Sequence, residues 1–393
     1  MKLDHRFTVL ACYNGYITQA ICINLMPLFY LSYQEDYGLS LGQISTLIVC
    51  NFAVQFSIDF LAAFFSKRMN VRFCTVLAHF VTAVGLFGMW LFPRLLPPYV
   101  GLLLSVSCLG VGGGFTEVMI SPLIEACPTT EKSAGMSLLH SFYCWGQAGV
   151  VLITGVLFRF VDRGHWSLLP LIWTVIPLVG AIAFCVVPIY HLPSPPQNKK
   201  ENRGLFASSS FWVFLLLMLC AGASEMVMSQ WASGFAESAL GVEKSVGDLL
   251  GPCLFALMMG LSRMLYGKLG NRLHGEAVMG CCCVLCIFSY LLAAWMPHPL
   301  LAFLGCALCG FSVGIFWPGT LSRAAERIPY GGIAMFAFLA LAGDLGCLCG
   351  PAAAGAVAEA CGGDLRCAFV FALIFPATLL TVLLFQQRRI KTK

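Results

Sequence analysis

The strongest constraint on this chain is a succession of long apolar runs that almost no charge interrupts. Reading for continuous stretches bounded by charge, Pro or Gly gives twelve, at about 6–32, 40–65, 72–93, 98–124, 132–158 and 167–190, then 209–236, 246–271, 276–296, 299–322, 332–358 and 365–386. A helix needs about 20 mostly apolar residues to cross a bilayer. Each run clears that length, and none alternates apolar with polar residues as a barrel strand would. The runs therefore predict an all-α membrane protein of twelve transmembrane helices. Composition agrees: of 393 residues, 59% are hydrophobic and 10% charged, where a water-soluble chain carries about a quarter charged. Little length remains for a soluble domain.

Charge placement fixes an expected orientation. With a cytoplasmic N-terminus, seventeen of the 23 Lys and Arg residues fall on the inside. Five fall outside (Arg94, Arg159, Arg163, Lys244 and Arg366), and Arg263 lies within a run. Cytoplasmic loops of membrane proteins carry this excess. The net charge of +5 is thus a topology signal rather than a sign of a nucleic-acid partner, and both termini are expected in the cytoplasm. The first run is too long for a leader peptide and has no small-residue cleavage site, so it reads as the first helix.

The longest polar interruption, Leu192 to Ser208 with three prolines and three basic residues, falls near the middle of the chain. It divides the chain into a six-helix half at 1–191, a linker at 192–208 and a second half at 209–393. The halves echo one another. Gly110 and Gly114 align with Gly310 and Gly314 at an offset of 200, and Ala63–Arg72 aligns with Gly267–Glu276 at an offset of 204. Most of the 20 cysteines lie inside apolar runs, which excludes a disulfide-stapled module. Cys281, Cys282, Cys283 and Cys286 sit on one helix that points consecutive thiols in different directions, so no metal site is expected there. Cys361 and Cys367 bracket an outer loop, and their pairing stays open.

The stretch Gly267-Lys-Leu-Gly-Asn271-Arg272-Leu-His-Gly275 resembles the cytoplasmic Gly-x-x-x-Asp-Arg-x-Gly loop of the major facilitator superfamily, with Asn271 in place of the acid. Its place between the eighth and ninth helices matches the second copy of that loop, and the resemblance covers the whole chain. It implies two pseudo-symmetric six-helix halves around one central cavity. A narrower likeness lies in the fourth and fifth helices. Glu117-Val-Met-Ile-Ser121-Pro122 is similar to the Glu-x-x-x-Asn-Pro segment of the fucose/galactose proton symporter branch. Leu138-Leu-His140-Ser-Phe142-Tyr-Cys-Trp-Gly146 resembles the Leu-x-x-His-x-x-Phe-x-x-Gly stretch of related sugar carriers. The likeness implies that Glu117 corresponds to the acid associated with proton coupling. That branch also carries an Asp in the first helix, where this chain has Ile23 and Asn24, and the Arg-x-x-x-Gly-x-Gly signature of other proton-driven members is absent.

An ionisable residue at a helix centre costs about 2.5–3.5 kcal/mol on insertion scales, so each one needs a partner, a wet cavity or a task. The candidates are Asp59, Glu117, His140, Glu225, Arg263 and Asp344, with His79. Glu117 shares a face with Gly110, Gly113, Gly114 and Ser121 and is expected to couple protons. Glu225 is a second such acid. Asp344 is either a third titrating group or the organiser of a kinked helix. His140, Tyr143, Cys144 and Gln147 fall at i, i+3, i+4 and i+7, and this stripe either binds a hydroxyl-rich solute or packs as a polar seam. Gln230 and Trp231 extend the pocket along helix seven. Gln230 joins Glu225 only if that helix breaks or curves, as Gly222 and Gly234 would allow. Trp231 and Trp317 offer faces for stacking or serve as packing. Asp59, Arg263 and Arg272 are assigned to gating by breakable charge pairs. For Asp59 and Arg263, a permanent structural role is the equal alternative.

The expectation is secondary transport by alternating access: proton-coupled uptake of a small polar solute such as a monosaccharide, by a monomer in the plasma membrane. No enzymatic activity, cofactor, metal or nucleic-acid partner is expected. Export of amphipathic compounds or drugs is the alternative, in keeping with the aromatic and Met-rich interior.

Overall fold

The computed structural model describes residues 4–65, 68–158, 160, 163–192, 205–240, 253–269, 275–295 and 298–391. Helices dominate, and the described residues contain no strand. In chain order they are α1 (His5–Asn24), α2 (Tyr30–Tyr37), α3 (Leu41–Phe65), α4 (Val71–Leu95), α5 (Pro98–Ala126), α6 (Lys132–Leu157), α7 (Leu169–Val186), α8 (Ser209–Leu240), α9 (Leu254–Leu269), α10 (Gly275–Trp295), α11 (Pro299–Val313), α12 (Phe316–Arg327), α13 (Gly332–Ala360), α14 (Leu365–Ala372) and α15 (Ile374–Lys391). Among the described residues, eleven helical segments are long and apolar enough to cross a membrane. Of the expected eighth span, only α9 is described. The expected tenth span is α11 and α12 together, and the twelfth is α14 with α15.

The boundaries follow from local chemistry. Asp4 caps α1, where its carboxylate accepts from the His5 N–H at 2.6 Å, and that bond holds the carboxyl below its usual range. Asn70 caps α4 by accepting from Phe73 N–H at 3.1 Å, and Pro98 opens α5 where its missing N–H costs nothing. Gly38, at φ 64°, ends α2 in the left-handed conformation.

The chain forms two compact units: Met1–Thr129 with Phe142–Pro195 and Gly332–Ala337, and Thr130–Ser141 with Pro196–Gly331 and Phe338–Lys393. In the first unit, α5 packs against α1, α3 and α4, and α7 against α4 and α1. Small residues make the α3–α5 approach close. A methyl at Gly110 would stand 2.6 Å from the Asn51 carbonyl, and one at Gly114 2.7 Å from Ile58 Cβ. A continuous core of Ile21, Leu25, Phe29, Leu86, Leu109 and Trp173 forms beside that seam. Arg72 donates to the carbonyls of Phe184, Cys185 and Val187 at 2.6–2.9 Å, capping the C-terminal end of α7. In the second unit, α11 lies against α8, α9 and α10, and α15 against α8 and α10. Large apolar side chains such as Ile182, Phe73 and Leu348 point outward, as a lipid-facing surface requires.

Candidate functional site

The first unit builds a polar site around Glu117 in the middle of α5. Its Oε2 accepts from Gln19 Nε2 on α1 at 3.1 Å and from Gln55 Nε2 on α3 at 2.8 Å. The absence of a side chain at Gly113, one turn earlier, makes room for both carboxamides. A methyl there would meet Gln55 Oε1 at 2.9 Å and Gln19 Oε1 at 3.3 Å. Gln19 is 4% exposed, and its Oε1 has no hydrogen-bond partner among the described residues. Four residues beyond Gln55 on the same face of α3 lies Asp59, fully buried, with a carboxylate oxygen within 4.8 Å of one of Glu117. One turn past Glu117, Ser121 Oγ bonds Tyr16 Oη at 2.7 Å. Toward the opposite end of α1, Asn24 Nδ2 approaches the half-buried Tyr143 hydroxyl at 3.5 Å. Gln147, one turn along α6, is also half-buried. His79 is buried on α4 with Nδ1 2.8 Å from the Thr75 carbonyl.

The second unit builds a different polar site on α8, α9 and α11. Arg263, 3% exposed, pairs through Nη2 with Glu225 Oε2 at 3.4 Å, donates through Nη1 to the His140 carbonyl at 3.3 Å, and donates through Nε to the Gly314 carbonyl at 2.8 Å. Ser137 Oγ donates in turn to the Arg263 carbonyl at 2.8 Å. The α8 helix runs unbroken from Ser209 to Leu240, so the interruption considered for helix seven does not occur. Gln230 is exposed, while Glu225 is half-buried beside Arg263. Trp231 donates its indole N–H to the Pro351 carbonyl at 3.2 Å. The Trp317 ring lies over Gly343, where a methyl would stand 2.2 Å from Cη2. Asp344 follows on α13 and is half-buried. At the C-terminal end of α12, Arg323 and Arg327 reach Glu276 at the start of α10 at 2.6 and 3.8 Å.

The expected coupling acid, Glu117, and the gating candidate Asp59 therefore come together, and Glu225 meets the gating candidate Arg263. Arg272, with Asn271 of the loop signature, most of the linker and the start of the eighth run, lies outside the described residues. Gln19 and Gln55 carry no charge, so the cost of burying an ionisable group does not mark them in the sequence. Their signal was present: Asn51, Gln55 and Asp59 recur every four residues in an otherwise apolar run, which puts them on one helix face. The break in span ten at Gly314–Ile315 was also missed. The thiols of Cys361 and Cys367 are free.

A family model described as Major Facilitator Superfamily matches residues 9–343 and 254–393. An uncharacterized MFS-type transporter of Yersinia pestis is 23% identical over 265 residues, covering 65% of this chain and 66% of that one. Among solved structures, the E. coli fucose:proton symporter superposes with a TM-score of 0.82 at 14% identity, over 98% of this chain and 99% of that one. A proton:xylose symporter superposes at 0.78 with 11% identity, over 98% and 95%. The human organic anion transporter superposes at 0.73 with 15% identity, over 97% and 100%.

Proposed function

The chain belongs to the major facilitator superfamily, a family of multi-pass membrane transporters, and from that premise we propose that it is a proton-coupled carrier that takes up a small polar solute such as a monosaccharide. The observation that carries the reading is the surroundings of Glu117. A carboxylate inside a membrane protein must be stable both with and without its proton if it is to couple proton flow to transport. Glu117 has two neutral carboxamides as donors, and a carboxamide presents either an N–H or a carbonyl to its neighbour. Ionised, the acid is stabilised by two charge-assisted bonds. Protonated, it donates to a rotated Gln, and the buried Gln19 carbonyl, which has no hydrogen-bond partner among the described residues, is an acceptor for it. Asp59 beside it adds like-charge repulsion that one proton removes.

The stripe of Tyr143 and Gln147, with Asn24 and the Tyr16–Ser121 pair, supplies neutral donors and acceptors suited to hydroxyl groups. The fucose and xylose symporters named above are distant in sequence but agree with this solute class. In this reading the two six-helix halves, joined by the 192–208 linker, alternate access to the solute in the plasma membrane of a monomeric carrier with both termini in the cytoplasm.

The test is uptake of radiolabelled fucose, xylose and galactose into proteoliposomes with and without an inside-alkaline pH gradient. The gradient should drive accumulation of at least one sugar in the parent. Glu117→Gln should abolish that accumulation while retaining counterflow exchange, which needs no net proton movement. Full gradient-driven accumulation by the variant removes Glu117 from coupling, and indifference of the parent to the gradient removes proton coupling altogether.

A further inference from the structure

Pro318 has no N–H to donate, so the carbonyl four residues earlier, Gly314, lacks its usual helical partner. The helix opens there, with α11 ending at Val313 and α12 beginning at Phe316. Arg263 Nε occupies the vacant position at 2.8 Å. The break is pressed closely against α9, since a methyl on Gly314 would stand 2.9 Å from the Met259 carbonyl. A guanidinium offers its donors in a rigid planar fork. Three acceptors of Arg263, at Gly314, His140 and Glu225, are therefore coupled through one plane. Trp317 stands inside the first turn after the break, with its ring over Gly343.

We propose that Arg263 is a positioning residue that converts the charge state of Glu225 into the bend of span ten, and so sets where the Trp317 indole stands. The ionised Glu225 holds Nη2 and keeps the fork seated on Gly314. Proton uptake by Glu225 removes one leg of the fork, Nε loosens from the carbonyl, and α12 reorients with Trp317. Among the described residues, the charged and titratable groups facing Glu225 are Arg263 on α9 and Cys309 on α11, and His140 on α6 faces Arg263. The consequence for solute binding rests on the transport reading above, while the mechanical coupling does not.

The experiment uses the full chain in lipid nanodiscs without solute. Tryptophan is replaced by 5-fluorotryptophan, and the Trp317 fluorine resonance is assigned by Trp317→Phe. In the parent, that resonance should shift as pH is lowered, and Glu225→Gln should abolish the shift. Arg263→Lys retains a cation for Glu225 but not the planar fork, so Trp317 should move away from its parent position by more than its linewidth. Pro318→Ala restores the missing N–H and gives Gly314 a partner within the helix. The Trp317 resonance should then no longer respond to pH or to Arg263→Lys. A parent-like resonance in Arg263→Lys would reduce Arg263 to a counter-ion and overturn the proposal, as would a pH shift that survives Glu225→Gln or Pro318→Ala. Both Pro318→Ala and Arg263→Lys avoid stranding a buried charge, so the test does not depend on a variant that fails to fold. Because no solute is present, failure here is separate from failure of the sugar uptake assay.

Discussion

Glu117 and Glu225 are both glutamates inside apolar helices, yet their partners give them different chemistry. Glu117 has neutral carboxamides on Oε2, whereas Glu225 sits against a buried guanidinium. A hydrogen bond to a charged group contributes roughly 1.5–3 kcal/mol, so Gln19→Leu should cut gradient-driven accumulation by about tenfold or more. Solute affinity measured by counterflow should change little, because Gln19 supports the acid rather than the solute. Equal losses in both measurements would instead place Gln19 among the solute ligands. The acids were legible in the sequence because a charge in hydrocarbon is expensive and stands out. Gln19 and Gln55 were not, because a carboxamide costs less to bury and its contribution depends on which helix it faces. That information lies in the packing of α1 and α3 on α5, not in any local pattern.

Most helices among the described residues were legible to within a few residues at each end, because length and apolar continuity decide whether a segment spans. Their interruptions were not. Pro122, Pro351 and Pro318 each sit inside an apolar run, yet α5 and α13 continue through theirs while span ten breaks. Each proline removes one donor in the same way. At span ten Arg263 comes from α9 to take the freed carbonyl at Gly314, and no local rule reveals it. Packing within the second unit makes a sharper expectation at Gly343. Three carbons of the Trp317 ring lie 2.2–3.0 Å from where a methyl would sit. An indole is rigid, so Gly343→Ala forces a backbone or ring shift that typically costs about 1–3 kcal/mol. Its apparent melting temperature in detergent should fall by several degrees, and adding Trp317→Leu should recover most of the loss. A Gly343→Ala chain that melts with the parent would show that the ring has another place to go. If the double variant recovers stability but not sugar uptake, Trp317 has a task beyond packing.

At the scale of the whole chain, orientation rests on where the basic residues fall, and the number of crossings rests on the eighth run. Only sixteen residues of it, Leu254–Leu269, are described as α9. At 1.5 Å per residue they reach about 24 Å, short of a hydrocarbon core of about 30 Å. The preceding residues must complete the crossing if the two halves carry six helices each. Two exposed cysteines separate the questions. Cys185 lies near the end of α7, the sixth span, and Cys361 lies in the turn after α13, five expected spans later. With cytoplasmic termini, Cys185 faces the inside. Cys361 faces the outside only if the number of intervening crossings is odd. In single-cysteine chains expressed in intact cells, a membrane-impermeant maleimide should label Cys361 directly and Cys185 only after permeabilisation. Labelling of Cys185 from outside would invert the orientation drawn from the Lys and Arg bias. Protection of both residues would show that one run between them, first of all 246–271, does not cross, and would reduce the second half to five spans.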